Sequence, residues 1–184
     1  MSEKLQYRLT AKQKSQIAQN LMDILERNAS IESQTASFVY NWMLTGPDEK
    51  RKAFFDVWDI VLRNFMPKTR PILFRSCQRR KDGIFASFTG RLECARRFSN
   101  EKGFLLMCDT SEELRYEAQH GKKGEYRHTF YPLVELLRKD DAAENHVFSE
   151  RVRSEYIGED EYIMRVDVGG MHTFKWYQER RATQ

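Results

Sequence analysis

The sequence predicts an α+β fold, with helices before Pro67 and short strands after it. Before Pro67, apolar residues recur at steps of three and four, which is the period of amphipathic helices. After Pro67, short apolar runs lie between turn residues, as strands do. The helices are few and unevenly spaced among the strands, so we expect a mixed α+β unit and not a regular βαβ alternation. With 184 residues, including 12 Phe, 8 Tyr and 3 Trp, the chain can bury a substantial core.

Three helices are predicted in the first part of the chain. The first begins at Thr10, with Gln13 at the spacing of a capping box. The second ends at Gly46 and Pro47, which is a helix-ending signal. The third carries apolar residues at steps of three and four until a proline ends it. We expect their apolar stripes to pack against one another and against the rest of the protein.

Five strands and two further helices are predicted in the second part. The strands cover residues 72–75, 83–87, 104–108, 162–168 and 172–177, and the helices cover residues 92–98 and 132–137. We therefore divide the chain into an N-terminal helical region, residues 1–68, and a core, residues 69–184. Asp140 and Asp141 are predicted to be solvated loop positions.

Composition limits the classes of partner. The net charge of +4 is mildly basic, which permits an anionic partner such as nucleic acid without requiring one. The three cysteines lack a CxxC spacing and are predicted to be reduced thiols. No apolar signal segment follows the first residues, and no apolar run has transmembrane length. We expect a cytoplasmic protein, in its own cell or in a host cell, with no membrane partner.

Several common chemistries have no motif in this chain. The sequence lacks a glycine-rich phosphate loop ending in Lys-Ser/Thr, a GxGxxG run and a GxSxG elbow. Its four histidines lack HExxH or paired-ligand spacing, so no metal site is expected. His120 and His128 are predicted to be surface residues in a polar loop.

Polar residues at the ends of three predicted strands form the strongest functional signal. Arg75 ends the first strand, Ser87 and Thr89 end the second, and Glu159 and Glu161 precede a later one. If the backbone is extended, Ser87 and Thr89 share a face, and so do the two glutamates. Glu161 lies opposite the apolar face formed by every second residue from 162 to 168. Taken singly, each has an ordinary alternative, namely a solvated arginine or an acidic turn.

This order of residues resembles the arginine–serine–glutamate class of ADP-ribosyltransferases. Arg75, then Ser87-Phe88-Thr89, then Glu159-Asp160-Glu161 match the motifs of that family in order and in strand context. The class includes cholera-toxin-like toxins, vertebrate surface enzymes and small enzymes of T-even bacteriophages. The resemblance covers residues 71–177 and implies a core of two small facing antiparallel sheets. A helical N-terminal extension is also similar to the phage enzymes, so a toxin or phage effector is implied.

The chain departs from the family pattern at two positions. Ser76 follows Arg75 where the family often has glycine, and Gly90 stands where the family has a third small polar residue. The family contacts nicotinamide through backbone atoms beside the arginine, so Ser76 remains an expected contact. Phe98 and Phe88 are the candidates for the aromatic ring that stacks on nicotinamide.

The resemblance implies a role for each site residue in NAD cleavage. Arg75 would hold a phosphate of NAD, and Thr89 would support the strand that carries Ser87. Ser87 would orient Glu161, which would stabilise the cationic ribose. Glu159 would meet the incoming nucleophile. NAD is the substrate, and no metal is required.

The acceptor is the least determined part of the prediction. Residues 152–158 resemble the target-recognition loop of the family, with Glu155 and Tyr156 as candidate contacts, although Tyr156 could instead pack at the base of a loop. The paired glutamates favour arginine on a protein, and the basic chain leaves RNA or DNA open as acceptor. The alternative is a non-catalytic module that binds nucleic acid or protein, in which the acidic turn has no chemical role.

Overall fold

The computed structural model describes residues 7–46, 52–99, 102–112 and 129–176. The predicted surface histidines, His120 and His128, lie outside these ranges, and so does Tyr177, the end of the last predicted strand. Within the described ranges, no helix is long and apolar enough to cross a membrane.

The three helices predicted before Pro67 are confirmed. They are α1 (Ala11–Glu26), α2 (Ser33–Leu44) and α3 (Lys52–Asn64). Thr10 caps α1 as predicted: the Gln13 backbone N–H donates to Thr10 Oγ1 over 3.2 Å, and the Thr10 N–H donates to Gln13 Oε1 over 2.8 Å. This reciprocal pair satisfies two donors that the first turn would otherwise leave without partners.

The strands form one antiparallel sheet in the order β4-β5-β2-β1-β3-β6. They are β1 (Ile72–Cys77), β2 (Phe85–Thr89), β3 (Phe104–Asp109), β4 (Phe130–Tyr131), β5 (Glu161–Arg165) and β6 (His172–Lys175). The five predicted strands are confirmed with shifted ends. Strand β4 was not predicted, because two residues are too short to show an alternating pattern.

The sheet is narrow at its centre. The ladder between β1 and β2 consists of a single pair, Phe74 with Thr89. By contrast, β1 pairs with β3 over six positions and β2 pairs with β5 over five. Two three-stranded halves, β4-β5-β2 and β1-β3-β6, are therefore joined at one point. The two facing sheets implied by the family resemblance are not confirmed.

Helices α4 (Leu92–Ser99) and α5 (Leu133–Asp141) were predicted, whereas α6 (Glu150–Glu159) was not. The prediction of a loop over residues 152–158 was wrong. Ser149 caps α6, accepting from the Val152 N–H over 3.4 Å. Arg153 is the buried residue of this helix, and only the half-buried Val152, Tyr156 and Ile157 pack on the core, so its apolar stripe is short and weak in the sequence.

A buried ion pair fixes α6 to α5. Asp140 was predicted to be solvated, but it is buried and accepts hydrogen bonds from the backbone N–H groups of Val147 (2.7 Å) and Phe148 (3.1 Å). Arg153 donates hydrogen bonds to the Phe148 carbonyl and, over 2.8 Å, to Asp141 Oδ1. Its Nη1 lies 3.8 Å from Asp140 Oδ2. The buried charges are thus both paired and hydrogen-bonded, as burial requires.

Both faces of β5 are buried. Met164 belongs to a cluster with Leu73 and Phe88, on the apolar face that the sequence predicts. Ile163, on the opposite face, belongs to a larger cluster built mainly by helices α1, α2, α3 and α5. Glu161 shares this second face, because it lies two residues before Ile163. Glu161 thus lies opposite the predicted apolar face, as expected, but its own face is buried as well, because the N-terminal helices cover it.

Candidate active site

A cavity of about 610 Å³ lies where the two halves of the sheet meet, within the size range of small-molecule sites. Its walls come from the end of α2, from β1, β2 and α4, and from the end of α6. Seven of the predicted site residues line it: Arg75, Ser76, Ser87, Thr89, Tyr156, Glu159 and Glu161. The eighth, Glu155, is exposed on α6, with its Oε2 4.0 Å from Nε of Arg151.

Glu161 is the most buried acidic group of the cavity, with 7% of its surface exposed. It begins β5 and pairs with Thr89 of β2. Its Oε1 accepts a hydrogen bond from Ser87 Oγ over 2.5 Å, the contact that the resemblance implied. The same oxygen accepts a second hydrogen bond, over 3.0 Å, from the indole Nε1 of Trp42.

Sequence reasoning missed the contact of Trp42 with the site. The residue was assigned to the apolar stripe of α2, and it lies 119 positions from Glu161. One signal was available, because a buried tryptophan usually finds a hydrogen-bond acceptor for its N–H. That signal says that an acceptor exists but not which residue provides it.

Arg75 bridges the two halves of the sheet. Its Nη1 donates to the backbone carbonyl of Ser87 over 2.8 Å, and thus adds a second link beside the single β1–β2 ladder pair of Phe74 and Thr89. Burial lowers the pKa of Arg75 from its ordinary value, and the charges of Cys77 and Glu161 act in the opposite direction. A guanidinium nonetheless stays charged in proteins and offers five N–H donors.

The hydroxyls of Ser76 and Thr89 form hydrogen bonds between the elements that line the cavity. Ser76 Oγ donates to the Ala95 carbonyl over 2.5 Å, which ties α4 to β1, and accepts from Trp176 Nε1 over 3.3 Å. Thr89 Oγ1 donates to the carbonyl of Glu159 over 2.8 Å, which ties β2 to the end of α6. These hydroxyls are engaged by protein groups, although both residues line the cavity.

The two glutamates converge by a route that the sequence did not predict. Glu159 is the last residue of α6, and Asp160 adopts the left-handed conformation with φ of 52°. The backbone is therefore not extended there, and the strand-parity argument for a shared face was wrong. A left-handed residue after a helix reverses the chain locally, and both carboxylates line the cavity.

The pKa of Glu159 is perturbed by its surroundings. Burial raises the pKa of its carboxyl from the ordinary value, and the negative charge of Glu161 raises it further. Arg97 acts in the opposite direction, with its Nη2 3.9 Å from Glu159 Oε1. A carboxylate with a raised pKa is a stronger base than an ordinary one.

Gly90 lies close to the side chain of Asp160. A Cβ placed on Gly90 would lie 2.3 Å from Asp160 Oδ2, and the Gly90 N–H donates to the Asp160 carbonyl over 3.3 Å. A larger residue at position 90 would therefore require the Asp160 carboxylate to rotate away.

The aromatic residues of the cavity differ in accessibility. Phe88 is 2% exposed and packs in the core, whereas Phe98 is 56% exposed, with the guanidinium carbon of Arg97 5.2 Å from its ring centroid. Of the two stacking candidates, Phe98 therefore presents the accessible ring. Tyr156 is half-buried and donates from its hydroxyl to the Met43 carbonyl over 3.2 Å, so it packs against α2 as well as lining the cavity.

Comparisons with known proteins do not place the chain in a family. No family model matches it, and no curated protein or solved structure matches it either. The described residues also contain no group of three or more His, Cys, Asp or Glu side chains that could hold a metal ion. The cavity and its side chains are therefore the features that point to a function.

Proposed function

We propose that the protein is an NAD-dependent mono-ADP-ribosyltransferase, a glycosyltransferase that moves ADP-ribose from NAD to a macromolecule. One observation carries the proposal. Arg75, Ser87 and Glu161, which the sequence indicated at separate points of the chain, line one cavity. Ser87 Oγ donates a hydrogen bond to Glu161, and Arg75 donates one to the backbone carbonyl of Ser87. A buried carboxylate beside a fixed guanidinium suits a cationic sugar that carries a pyrophosphate.

The proposed chemistry begins with cleavage of the bond between ribose C1′ and the nicotinamide nitrogen. The bonding electron pair leaves with nicotinamide, and the ribose develops oxocarbenium character, as in glycoside hydrolysis. Glu161 stabilises this charge and accepts a hydrogen bond from the 2′-hydroxyl. Arg75 holds a phosphate, and the exposed ring of Phe98 is our choice for stacking on nicotinamide.

The acceptor attacks C1′ and loses a proton, which Glu159 takes. Burial and the neighbouring Glu161 raise the pKa of Glu159, which suits a general base. Protein arginine remains the acceptor that the paired glutamates favour. Tyr156 at the cavity wall and the exposed Glu155 on the same helix are the proposed contacts to the target.

The shape of the sheet supports the proposal at the level of the fold. The family resemblance implies two small antiparallel sheets, and the two halves of this sheet are joined by one residue pair, Phe74 with Thr89. The cavity lies at this joint. We propose that NAD binds there, between the halves.

Replacing Arg75 with alanine is expected to weaken NAD binding by about 1.5–3 kcal/mol, the range for hydrogen bonds to a charged group. Isothermal titration of NAD into each variant measures the loss. The matched control is Arg27→Ala, which removes the same charge from an exposed position on α1, 3.0 Å from Asp23. Unchanged NAD affinity in a folded Arg75→Ala protein would give Arg75 a structural role only.

Transfer to the acceptor is expected to fall as pH drops through the pKa of Glu159, because the base must be ionised. This pKa is raised in the folded protein, so the fall begins above the ordinary glutamate value of about 4.3. Arg97→Gln removes the charge that lowers this pKa, so the acidic limb moves to higher pH. The rate of transfer, measured between about pH 4 and about pH 8, tests this expectation, and Arg91→Gln is the control. An acidic limb that stays in place in the Arg97 variant would contradict the assignment.

The direct test is incubation of the pure protein with NAD labelled in the adenylate part and a cell lysate. The expected result is label in macromolecules together with release of nicotinamide. Protease and nuclease digestion then identify the acceptor as protein or nucleic acid. The absence of both label and nicotinamide release would reject the proposal.

A second candidate function, a non-catalytic nucleic-acid-binding module, is favoured by one observation. Residues 78–103 contain seven Lys and Arg and three Asp and Glu, an excess as large as the net charge of the whole chain. Arg79, Arg80 and Lys81 are exposed, and Lys81 lines the cavity. Strongly salt-dependent binding of RNA or DNA without NAD cleavage would support this alternative.

A further inference from the structure

A buried indole–carboxylate hydrogen bond links the N-terminal helices to the proposed catalytic carboxylate. Trp42 on α2 donates from Nε1 to Glu161 Oε1 over 3.0 Å, and Ser87 Oγ donates to the same oxygen over 2.5 Å. Within the described part of the chain, both hydrogen bonds to this carboxylate go to Oε1. The second oxygen, Oε2, is therefore left for the substrate.

The two donors differ chemically. A serine hydroxyl donates or accepts, because its proton rotates, so Ser87 alone is compatible with either protonation state of the carboxyl group. An indole N–H only donates and does not titrate in the working range of proteins. Trp42 therefore requires Oε1 to act as an acceptor, so no proton can lie on that oxygen.

The direction of the indole N–H is fixed by packing. Trp42 is 0% exposed. Its ring packs edge-on against Phe54, with centroids 5.8 Å apart, and against Trp58, with centroids 5.5 Å apart. A donor held in this way needs little reorganisation when positive charge develops on the ribose.

We propose that Trp42 is a positioning residue for NAD cleavage. Together with Ser87 it holds Oε1 of Glu161 and directs Oε2 towards the ribose. This inference rests on the proposed function. Its consequence is that the helical region supplies part of the catalytic machinery in addition to packing on the core.

The aromatic cluster contains a matched control. Trp58 is also 0% exposed and contacts Trp42, but its Nε1 has no hydrogen-bond partner among the described residues. Trp42→Phe and Trp58→Phe therefore remove the same atoms from the same cluster, and only the first removes a donor to Glu161. Thermal melts of both variants measure the packing loss that they share.

Trp42→Phe is expected to lower kcat for nicotinamide release by about tenfold or more, the equivalent of one hydrogen bond to a charged group. The Kd for NAD should change little, because the bond orients a carboxylate and does not itself touch NAD. Trp58→Phe keeps an aromatic ring against Trp42 and leaves its hydrogen bond to Glu161 in place, so its kcat should fall much less at comparable thermal stability. Equal losses of kcat in the two variants would reduce Trp42 to a packing residue and overturn the proposal.

Nuclear magnetic resonance tests the contact without any activity. The chain has three tryptophans, so ¹⁵N-tryptophan labelling gives three indole signals, which single Trp→Phe variants assign. Glu161→Ala should move the Trp42 indole signal, whereas the signal of Trp176, which donates to Ser76 Oγ, should stay in place. A Trp42 signal that is indifferent to Glu161→Ala would overturn the proposal even if Trp42→Phe fails to fold.

The two readouts separate this inference from the proposed function. Suppose that the Trp42 indole signal responds to Glu161→Ala but the wild-type protein releases no nicotinamide from NAD. This result overturns the proposed function, and the role of Trp42 in NAD cleavage with it. A protein that cleaves NAD but retains full kcat as Trp42→Phe overturns only the role of Trp42.

Discussion

Glu161→Gln is expected to abolish both ADP-ribosyl transfer and simple NAD hydrolysis, with each rate falling by about 100-fold or more. Every route of NAD cleavage passes through a cationic ribose, and this substitution removes the negative charge that stabilises it. Glutamine keeps the shape of the side chain and can still accept from Ser87 and Trp42 through its amide oxygen. The loss therefore reports the charge and not the packing.

Nicotinamide release and label incorporation should be measured side by side in this variant. Glu135→Gln is a suitable control, because it removes an exposed carboxylate on α5 that pairs with Arg138 over 2.6 Å. Wild-type rates in the control together with lost activity at Glu161 are the expected pattern. Full activity of the Glu161 variant would overturn the assignment of Glu161 as the group that stabilises the cationic ribose.

Glu159→Gln is expected to separate the two activities. Transfer to a protein arginine should fall by about 100-fold, the lower end of the range for a lost general base. The slow NAD hydrolysis should change little, because Glu161 is expected to stabilise the ribose in this variant too. The attack of water does not depend on Glu159 in the proposed mechanism. The separation follows from the positions of the two groups, at the end of α6 and at the start of β5.

The ratio of transfer to hydrolysis is the quantity to compare. It should drop in Glu159→Gln and stay near the wild-type value in a matched variant of the same helix, Glu150→Gln, which alters its first turn. Equal loss of both activities in Glu159→Gln would mean that Glu159 acts on NAD and not on the acceptor.

Local signals in the sequence were sufficient for most of the secondary structure. The capping pair of Thr10 and Gln13 depends on residues three apart, so the sequence alone places the start of α1. The same holds for helices whose one buried face repeats along the chain. Helix α6 has only a short, half-buried apolar face, since Arg153 is its buried residue and an ion pair fixes it to α5.

Parts of the candidate site could not be read from local pattern. The approach of Ser87 to Glu161 was implied by the order of motifs and is present as a hydrogen bond. The contact of Trp42 with Glu161 depends on how α2 packs over β5, which is a tertiary property without a local signature. The left-handed residue Asp160 likewise alters the path between the glutamates, and a single non-glycine residue with positive φ is rarely apparent from sequence.

The close approach of Gly90 to Asp160 has an evolutionary consequence. Because a Cβ at position 90 would lie 2.3 Å from Asp160 Oδ2, a larger residue there requires the Asp160 side chain to rotate or to be shorter. In homologous chains we expect compensatory exchange: a serine or alanine at position 90 should occur together with a glycine or another small residue at position 160. Such co-variation would identify this turn as a constraint inherited by the whole lineage.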